Sequence, residues 1–398
     1  MNDHISEVDD DLVASMFGSV TYTPASPEIE RPFLPWHRPR KQYVRRYQWI
    51  NLIKRLLRDL IRERKKTGLE VKELSYLGLP GVDLIDLRCI HNDVCIENEI
   101  KLVYLGFVSE AQPSTSHYTE LAISIDEVSR LPFIDPLSSI STDHFERIAN
   151  ASSMAYQKAK KIGPFDIINL DLCNGFGSHA PDAIGDSYYS AITRLLTMQS
   201  KRNDPWILFL TTRVDHKNIN EKAIEEFLKL YSKNLENSKE FKKVSEEFFG
   251  ISCDLDALDA VTSDGEGMLN VFMTGVCKFI IEYCLGLNPP VIMQASSVFG
   301  YSVEKTSDVE DMVSIALHFK PTLSVVNRNT AFGAVDNIPD EGALAAQAVS
   351  KIAERKNVDG ILSEDPIARE EMEREMSNLL VMARYNAENF KVWCSETA

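Results

Sequence analysis

A short apolar run at 74–77 ends in the turn Gly78-Leu79-Pro80-Gly81, and two later runs each lead to an acid: 102–108 to Glu110, and 165–170 to Asp171. Apolar runs of this length between turn signals read as buried strands. Strands that end in a glycine turn and in carboxylates suit an open α/β sheet, whose carboxyl ends line a ligand crevice. Glycine lets backbone approach a ligand closely, and an acid at the second strand tip accepts hydrogen bonds from ribose hydroxyls. The expected occupant is therefore a nucleotide or nucleoside, held near Gly78, Glu110 and Asp171.

Charge is spread unevenly along the chain. Residues 1–30 hold seven acids and no Lys or Arg, a net −7, and are rich in Ser, Thr and Pro. That composition predicts an acidic mobile arm. Residues 31–66 hold 13 Lys or Arg against Asp59 and Glu63, a net +11, so a chain of net −16 leaves −20 for residues 67–398. Pro32, Pro35 and Pro39 keep the start of the basic segment extended. From about 41 to 66, Ile50, Ile53, Leu57, Leu60 and Ile61 repeat at helical steps, with basic residues along the other side. This predicts a basic amphipathic helix docked by its apolar face.

The remaining pattern alternates strand and helix. Strands are expected at 74–77, 101–108 and 165–170, then at 205–211, and less regularly at 121–125. Helices are expected at 84–95, 143–162, 188–198 and 220–249, the last broken or double. A mostly apolar helix at 267–287 stops at Pro289-Pro290. Two further strands, 291–299 and 312–319, flank the polar stretch 304–310 and predict a hairpin. Helices are then expected at 341–355 and 366–385, the second opened by Asp365-Pro366. The expected fold class is α/β: a doubly wound, mostly parallel sheet with a C-terminal antiparallel hairpin, plus the basic N-terminal helix and C-terminal helices. The expected organisation is an arm (1–30), a basic helical segment (31–68), a Rossmann-like domain (69–322) and a helical segment (323–398).

With 44% hydrophobic and 26% charged residues, the composition is that of a soluble globular protein. The 267–287 stretch is interrupted by Lys278 and Glu282, so no membrane span is expected there, and the first 30 residues lack the basic and apolar regions of a secretory leader. Seven scattered cysteines without a Cys-x-x-Cys pair argue against a disulfide framework and a structural zinc site, and favour a reducing cytoplasm. Cys277 and Cys284 are expected on one core face of a helix. His91 and Cys95 lie four apart without a third or fourth ligand, so no metal site is expected.

This order of elements resembles the class I, Rossmann-like S-adenosylmethionine-dependent methyltransferases over roughly residues 70–320. The resemblance implies that Gly78, Pro80 and Gly81 stand where that family has a Gly-x-Gly-x-Gly turn under the methionine part of the cofactor. It also implies that Glu110 meets the ribose and that Asp126, after a third strand, meets the adenine. The motif after the fourth strand corresponds to Asp171-Leu172-Cys173-Asn174-Gly175, with Asp171 and Asn174 positioning a methyl acceptor. Departures are Tyr76 in place of an acid two residues before the first glycine, Pro80 in place of the middle glycine, and no Asp/Asn-Pro-Pro-Tyr motif. The implied activity is methyl transfer to a nucleic-acid base or another polar acceptor. The departures leave a second reading open, a catalytically inactive adaptor of the same fold. A dinucleotide dehydrogenase fits less well, because Glu110 lies 29 residues after Gly81 rather than about 20.

Cys173, in the string Leu172-Cys173-Asn174-Gly175-Phe176, partly matches the nucleophile motif of cytosine-C5 methyltransferases, but the expected proline and the Glu-Asn-Val partner motif are missing. A structural cysteine is the competing reading. His179 and His216 are expected at the crevice rim. The basic residues Arg38, Arg40, Lys41, Arg45, Arg46, Arg55, Arg58 and Arg62 have two readings. They contact nucleic-acid phosphates, with Trp36, Tyr43 and Tyr47 stacking on bases, or they lie on an acidic partner or on this chain's own acidic body. Trp49 is expected in the core.

Overall fold

A computed structural model describes residues 31–113, 115–172, 174–181, 185–251, 265–303, 309–322 and 339–396. Helix α1 (Pro39–Val44) runs through a π-helical segment (Arg45–Ile50) into α2 (Asn51–Lys66). Then come β1 (Glu73–Gly78), α3 (Ile85–Ile90), β2 (Lys101–Phe107), α4 (Ser116–Ser129), β3 (Ser139–Ser141), α5 (Met154–Ile162), β4 (Ile167–Leu172), α6 (Tyr188–Gln199) and β5 (Trp206–Arg213). Helices α7 (Glu221–Asn237), α8 (Lys239–Phe249) and α9 (Gly265–Leu285) precede the hairpin of β6 (Val291–Tyr301) and β7 (Met312–Pro321). The chain continues through α10 (Glu341–Ala353), β8 (Lys356–Asn357), α11 (Val358–Glu364), α12 (Pro366–Met382) and α13 (Ala387–Glu396).

The sheet order is β3-β2-β1-β4-β5-β7-β6-β8. Strands β1 to β5 pair in parallel, and β7 runs antiparallel between β5 and β6. The order reverses on either side of β1, so the switch point of the sheet lies between β1 and β4, at the register Gly78 opposite Asn169.

Alternation along each strand sorts the side chains into two cores. Leu77, Ile168, Leu170, Leu208 and Leu210 face α5 to α10. Leu74, Tyr76, Ile167, Ile207 and Phe209 face α2, α3, α12 and α13. Trp49, Ile50, Ile53, Leu56, Leu57 and Leu60 are all buried in the second core, so the N-terminal helix is a packed layer of the sheet. Helix α9 is long and apolar enough to cross a membrane, but most of it is buried. Its Lys278 is fully buried and paired with Glu341 of α10 at 2.7 Å. Cys277 and Cys284 are buried on that helix, and burial pushes both thiols up to about 12.

Two expected elements differ. The alternating stretch at 121–125 is part of α4, not a strand. Thr115 caps that helix by accepting from the Tyr118 amide, and Leu121, Ser124 and Val128 bury at helical steps. The third strand is Ser139–Ser141 instead. The helix expected at 143–162 divides into a 3-10 turn (Phe145–Ala149) and α5, because Ser153 caps a new start. The hairpin loop 304–308 and residues 323–338 lie outside the described residues.

Candidate functional site at the carboxyl edge of the sheet

The turn after β1 is built as a tight corner. Gly81 takes φ +65°, Leu84 takes φ 52° at the start of α3, and the Leu79 amide donates to Asn169 O at 3.3 Å. The bare backbone at Gly78 serves Tyr76, two residues back on the same face: its phenol fills the space that a Cβ at 78 would enter. Gly106, opposite Gly78 on β2, is likewise covered by Ile140 and by Pro80, whose Cγ would stand 3.0 Å from a Cβ there. S-adenosylmethionine, implied by the resemblance, would need that backbone open. With Tyr76, Pro80 and Ile140 placed as they are, the backbone at Gly78 and Gly106 does not fit it, while Gly81 faces open space.

Over the switch point lies the chain's own basic segment. Lys41 Nζ sits 2.7 Å from Asp171 Oδ2 and 3.4 Å from Tyr301 Oη, with the Trp49 ring centroid at 4.8 Å. Burial works against the lysine's charge, yet Asp171 outweighs it and holds the ammonium above its usual range. Arg45 Nε donates to Asp86 Oδ1 at 2.8 Å. Burial raises the Asp86 carboxyl, and neighbouring Asp171 adds to the rise while Arg45 and Lys41 oppose it. Burial likewise pushes the Tyr76 phenol well up, with Asp86 and Asp171 adding to the rise and the neighbouring Asn169 side chain opposing it. Tyr76 Oη and Asn169 Oδ1 are both buried, and neither has a partner at hydrogen-bond geometry.

A second anchor lies at the start of α3. Asp83 takes an ion pair from Arg31, a hydrogen bond from Tyr385 Oη at 3.0 Å, and faces His37 Nε2 at 3.5 Å. Burial raises the Asp83 carboxyl, but His37 and Arg31 more than offset that, so it stays below its usual range. His37 is fully buried, and Leu34 donates its backbone N–H to Nδ1 at 3.2 Å, so the ring proton sits on Nε2. Burial holds His37 below its ordinary 6.5, against the pull of Asp83. The unfolded chain therefore binds a proton near pH 6.5 that the folded chain refuses, so His37 costs stability as pH falls below that value. Thermal denaturation should show wild type losing stability between pH 7 and 5 more steeply than His37→Gln. Parallel curves would assign the acid sensitivity elsewhere.

The candidate residues from sequence are distributed as follows. Gly78, Pro80, Gly81 and Asp171 share the edge around the switch point. Asp171 lies inside β4, opposite Thr211, rather than beyond the strand end. Glu110 lies three residues past β2, exposed to solvent, and Asn174 is also exposed. Cys173 lies outside the described residues. Asp126 is on exposed α4, paired with Arg130 at 2.9 Å, because the strand expected to carry it is a helix. Among the basic residues, Lys41 and Arg45 turn inward and do not face a solvent-borne partner. Arg38 lies over the Trp393 ring, Arg40 pairs with Asp359, and Arg46 reaches Asp93 and Glu375. Arg55, Arg58 and Arg62 are exposed, with Arg62 tied to Asp59 at 2.9 Å. The residues that sequence reading did not single out are Asp83, Asp86, His37 and Tyr301. Only the excess of cations at 31–46 hinted that acids elsewhere would meet them.

A mostly parallel sheet with helices on both faces, a reversal of strand order at β1 and a closing antiparallel hairpin define a Rossmann-like α/β protein. Within that class the chain belongs to the PP_RS20740-like family, whose model matches residues 30–395. In structure it is similar to a candidate class I S-adenosylmethionine-dependent methyltransferase from Listeria monocytogenes, at 10% identity and a TM-score of 0.34, covering 81% of this chain and 73% of that one. It is also similar to the YcgJ protein from Bacillus subtilis, at 10% identity and a TM-score of 0.24, covering 66% and 98%. Likeness at that level carries no conclusion about cofactor or activity. No curated protein matches the chain.

Proposed function

We propose that this chain is a methyltransferase-like scaffold that acts by binding a partner, with its cofactor edge closed by its own side chains. The observation that carries this reading is the Tyr76 phenol seated on Gly78, where a cofactor would need open backbone. The Lys41–Asp171 contact supports it, since the β4 acid that would position an acceptor is already engaged. Buried free thiols at Cys89, Cys95, Cys277, Cys284 and Cys394 suit a reducing, cytoplasmic setting. A nucleic-acid partner on α2 would have Arg55, Arg58 and Lys65 as its exposed cations without an ion pair among the described residues, fewer contacts than the +11 segment suggested.

Calorimetry on the full chain tests the proposal. Millimolar S-adenosylmethionine is expected to give no saturable heat. Methyl transfer is the second reading, favoured by Glu110 and Asn174 remaining exposed at the same edge. Saturable binding that Glu110→Ala weakens tenfold or more would replace the first reading with the second.

A further inference from the structure

We propose that the crevice lined by Asp83, Asp86 and Asp171 is a binding site for Lys- and Arg-bearing peptide segments, and that residues 31–46 occupy it as an intramolecular ligand. This deepens the partner-binding function proposed above and depends on it. Among the described residues, every cation paired with these three carboxylates comes from that one stretch: Arg31 on Asp83, Arg45 on Asp86 and Lys41 on Asp171, with the imidazole of His37 beside Asp83 at 3.5 Å. The acids come from the β1–α3 turn, from α3 and from β4, so the fold converges them and a single extended-to-helical run of cations satisfies them. Chemistry of this kind selects guanidinium and ammonium groups. Tyr301 adds an aromatic wall beside the ammonium, its ring centroid 5.9 Å from Lys41 Nζ.

The stretch is an incomplete fit to the site. Tyr76 Oη and Asn169 Oδ1 are buried with no partner at hydrogen-bond geometry, in the same crevice as Asp86 and Asp171. Buried polar groups are nearly always paired; the Asn169 side chain lies beside the Tyr76 phenol and opposes its rise, and the hydrogen-bonding capacity that the two do not meet for each other is left unused by residues 31–46. A peptide with a longer or better-placed donor would fill it. The stretch joins α2 through the π-helical turn Arg45–Ile50. Arg45 at the start of that turn reaches Asp86, while Trp49 and Ile50 at its end, with Ile53, anchor α2 to the sheet. Such turns interrupt the regular helix at functional positions. Release of 31–46 uncovers the acids and also lifts Val44 out of the second core and Phe33 off Tyr385 and Phe390, while Trp49, Ile50 and Ile53 hold α2 on the sheet.

A fluorescently labelled peptide of residues 31–46 provides the test, titrated by anisotropy against full-length proteins. Wild type, whose crevice is filled, is expected to bind it weakly. Lys41→Ala/Arg45→Ala, which loosens the internal ligand, should bind it at least tenfold more tightly. Adding Asp171→Asn to that variant should remove most of the gain, and so should replacing Lys41 and Arg45 of the peptide with Gln. Equal affinity for wild type and the loosened variant overturns the proposal, as does a gain that survives Asp171→Asn, which would mean non-specific attraction to an acidic protein. Should the double variant lose its near-UV signature, Lys41→Met keeps the side-chain volume. It is expected to gain at least threefold, and no gain there overturns the proposal equally. No cofactor is present in these titrations, so their outcome is independent of whether S-adenosylmethionine binds.

Discussion

Asp83→Ala is expected to lower folding stability by roughly 3 kcal/mol, the lower end of what breaking a buried ion pair costs. The carboxylate is almost wholly buried and holds three groups from the two ends of the chain: Arg31, His37 and Tyr385. Its removal takes the nearest carboxylate from the Arg31 guanidinium, which keeps the Ala383 carbonyl at 2.8 Å, and takes away the acceptor that Tyr385 Oη uses among the described residues. Glu120, 3.3 Å from Arg31, keeps part of the compensation, which is why the lower end applies. Asp83→Asn retains the shape and an acceptor, so it should cost less than the alanine. Urea denaturation midpoints at constant slope measure both. A change below about 1 kcal/mol for the alanine would show that the clasp between N- and C-terminal segments contributes little.

Tyr76→Ala should cost about 3–5 kcal/mol, because the ring is fully buried and its loss leaves a void over Gly78. Tyr76→Phe separates packing from hydrogen bonding. The hydroxyl is buried without a partner at hydrogen-bond geometry, so removing it relieves an unpaired polar group. The expected result is a phenylalanine variant as stable as wild type or up to about 1 kcal/mol more stable. A phenylalanine variant as damaged as the alanine would mean that the hydroxyl holds a structural bond, and that Gly78 is not simply making room for the ring.

These two side chains also show what sequence reading reaches. Strand β1 was readable because an apolar run followed by a glycine turn has few alternatives. Glu110 and Asp171 were placed near the same edge because parallel strands bring their carboxyl ends together. The role of Gly78 was not readable. A glycine that admits a cofactor and a glycine that admits Tyr76 look alike in sequence, and only the rotamer of a neighbour two residues away distinguishes them. Asp126 lies away from that edge for a different reason. Leu121, Ile123 and Ile125 alternate over too few residues to separate strand from helix, and the Thr115 cap settled the matter locally.

The amino-acid order by itself determined the layered α/β architecture, the hairpin at 291–321 and the presence of a cation-rich helix, since each depends on local period and turn chemistry. Which way that helix faces its cations was a tertiary outcome. A basic stripe has the same 3.6-residue spacing whether it meets water, nucleic acid or carboxylates from β4 and α3. Lys41 and Arg45 turn inward because Asp171 and Asp86, distant in sequence, are brought beneath them by the parallel pairing of β1 with β4. In a low-dielectric layer, that pairing offsets the cost of burying charge.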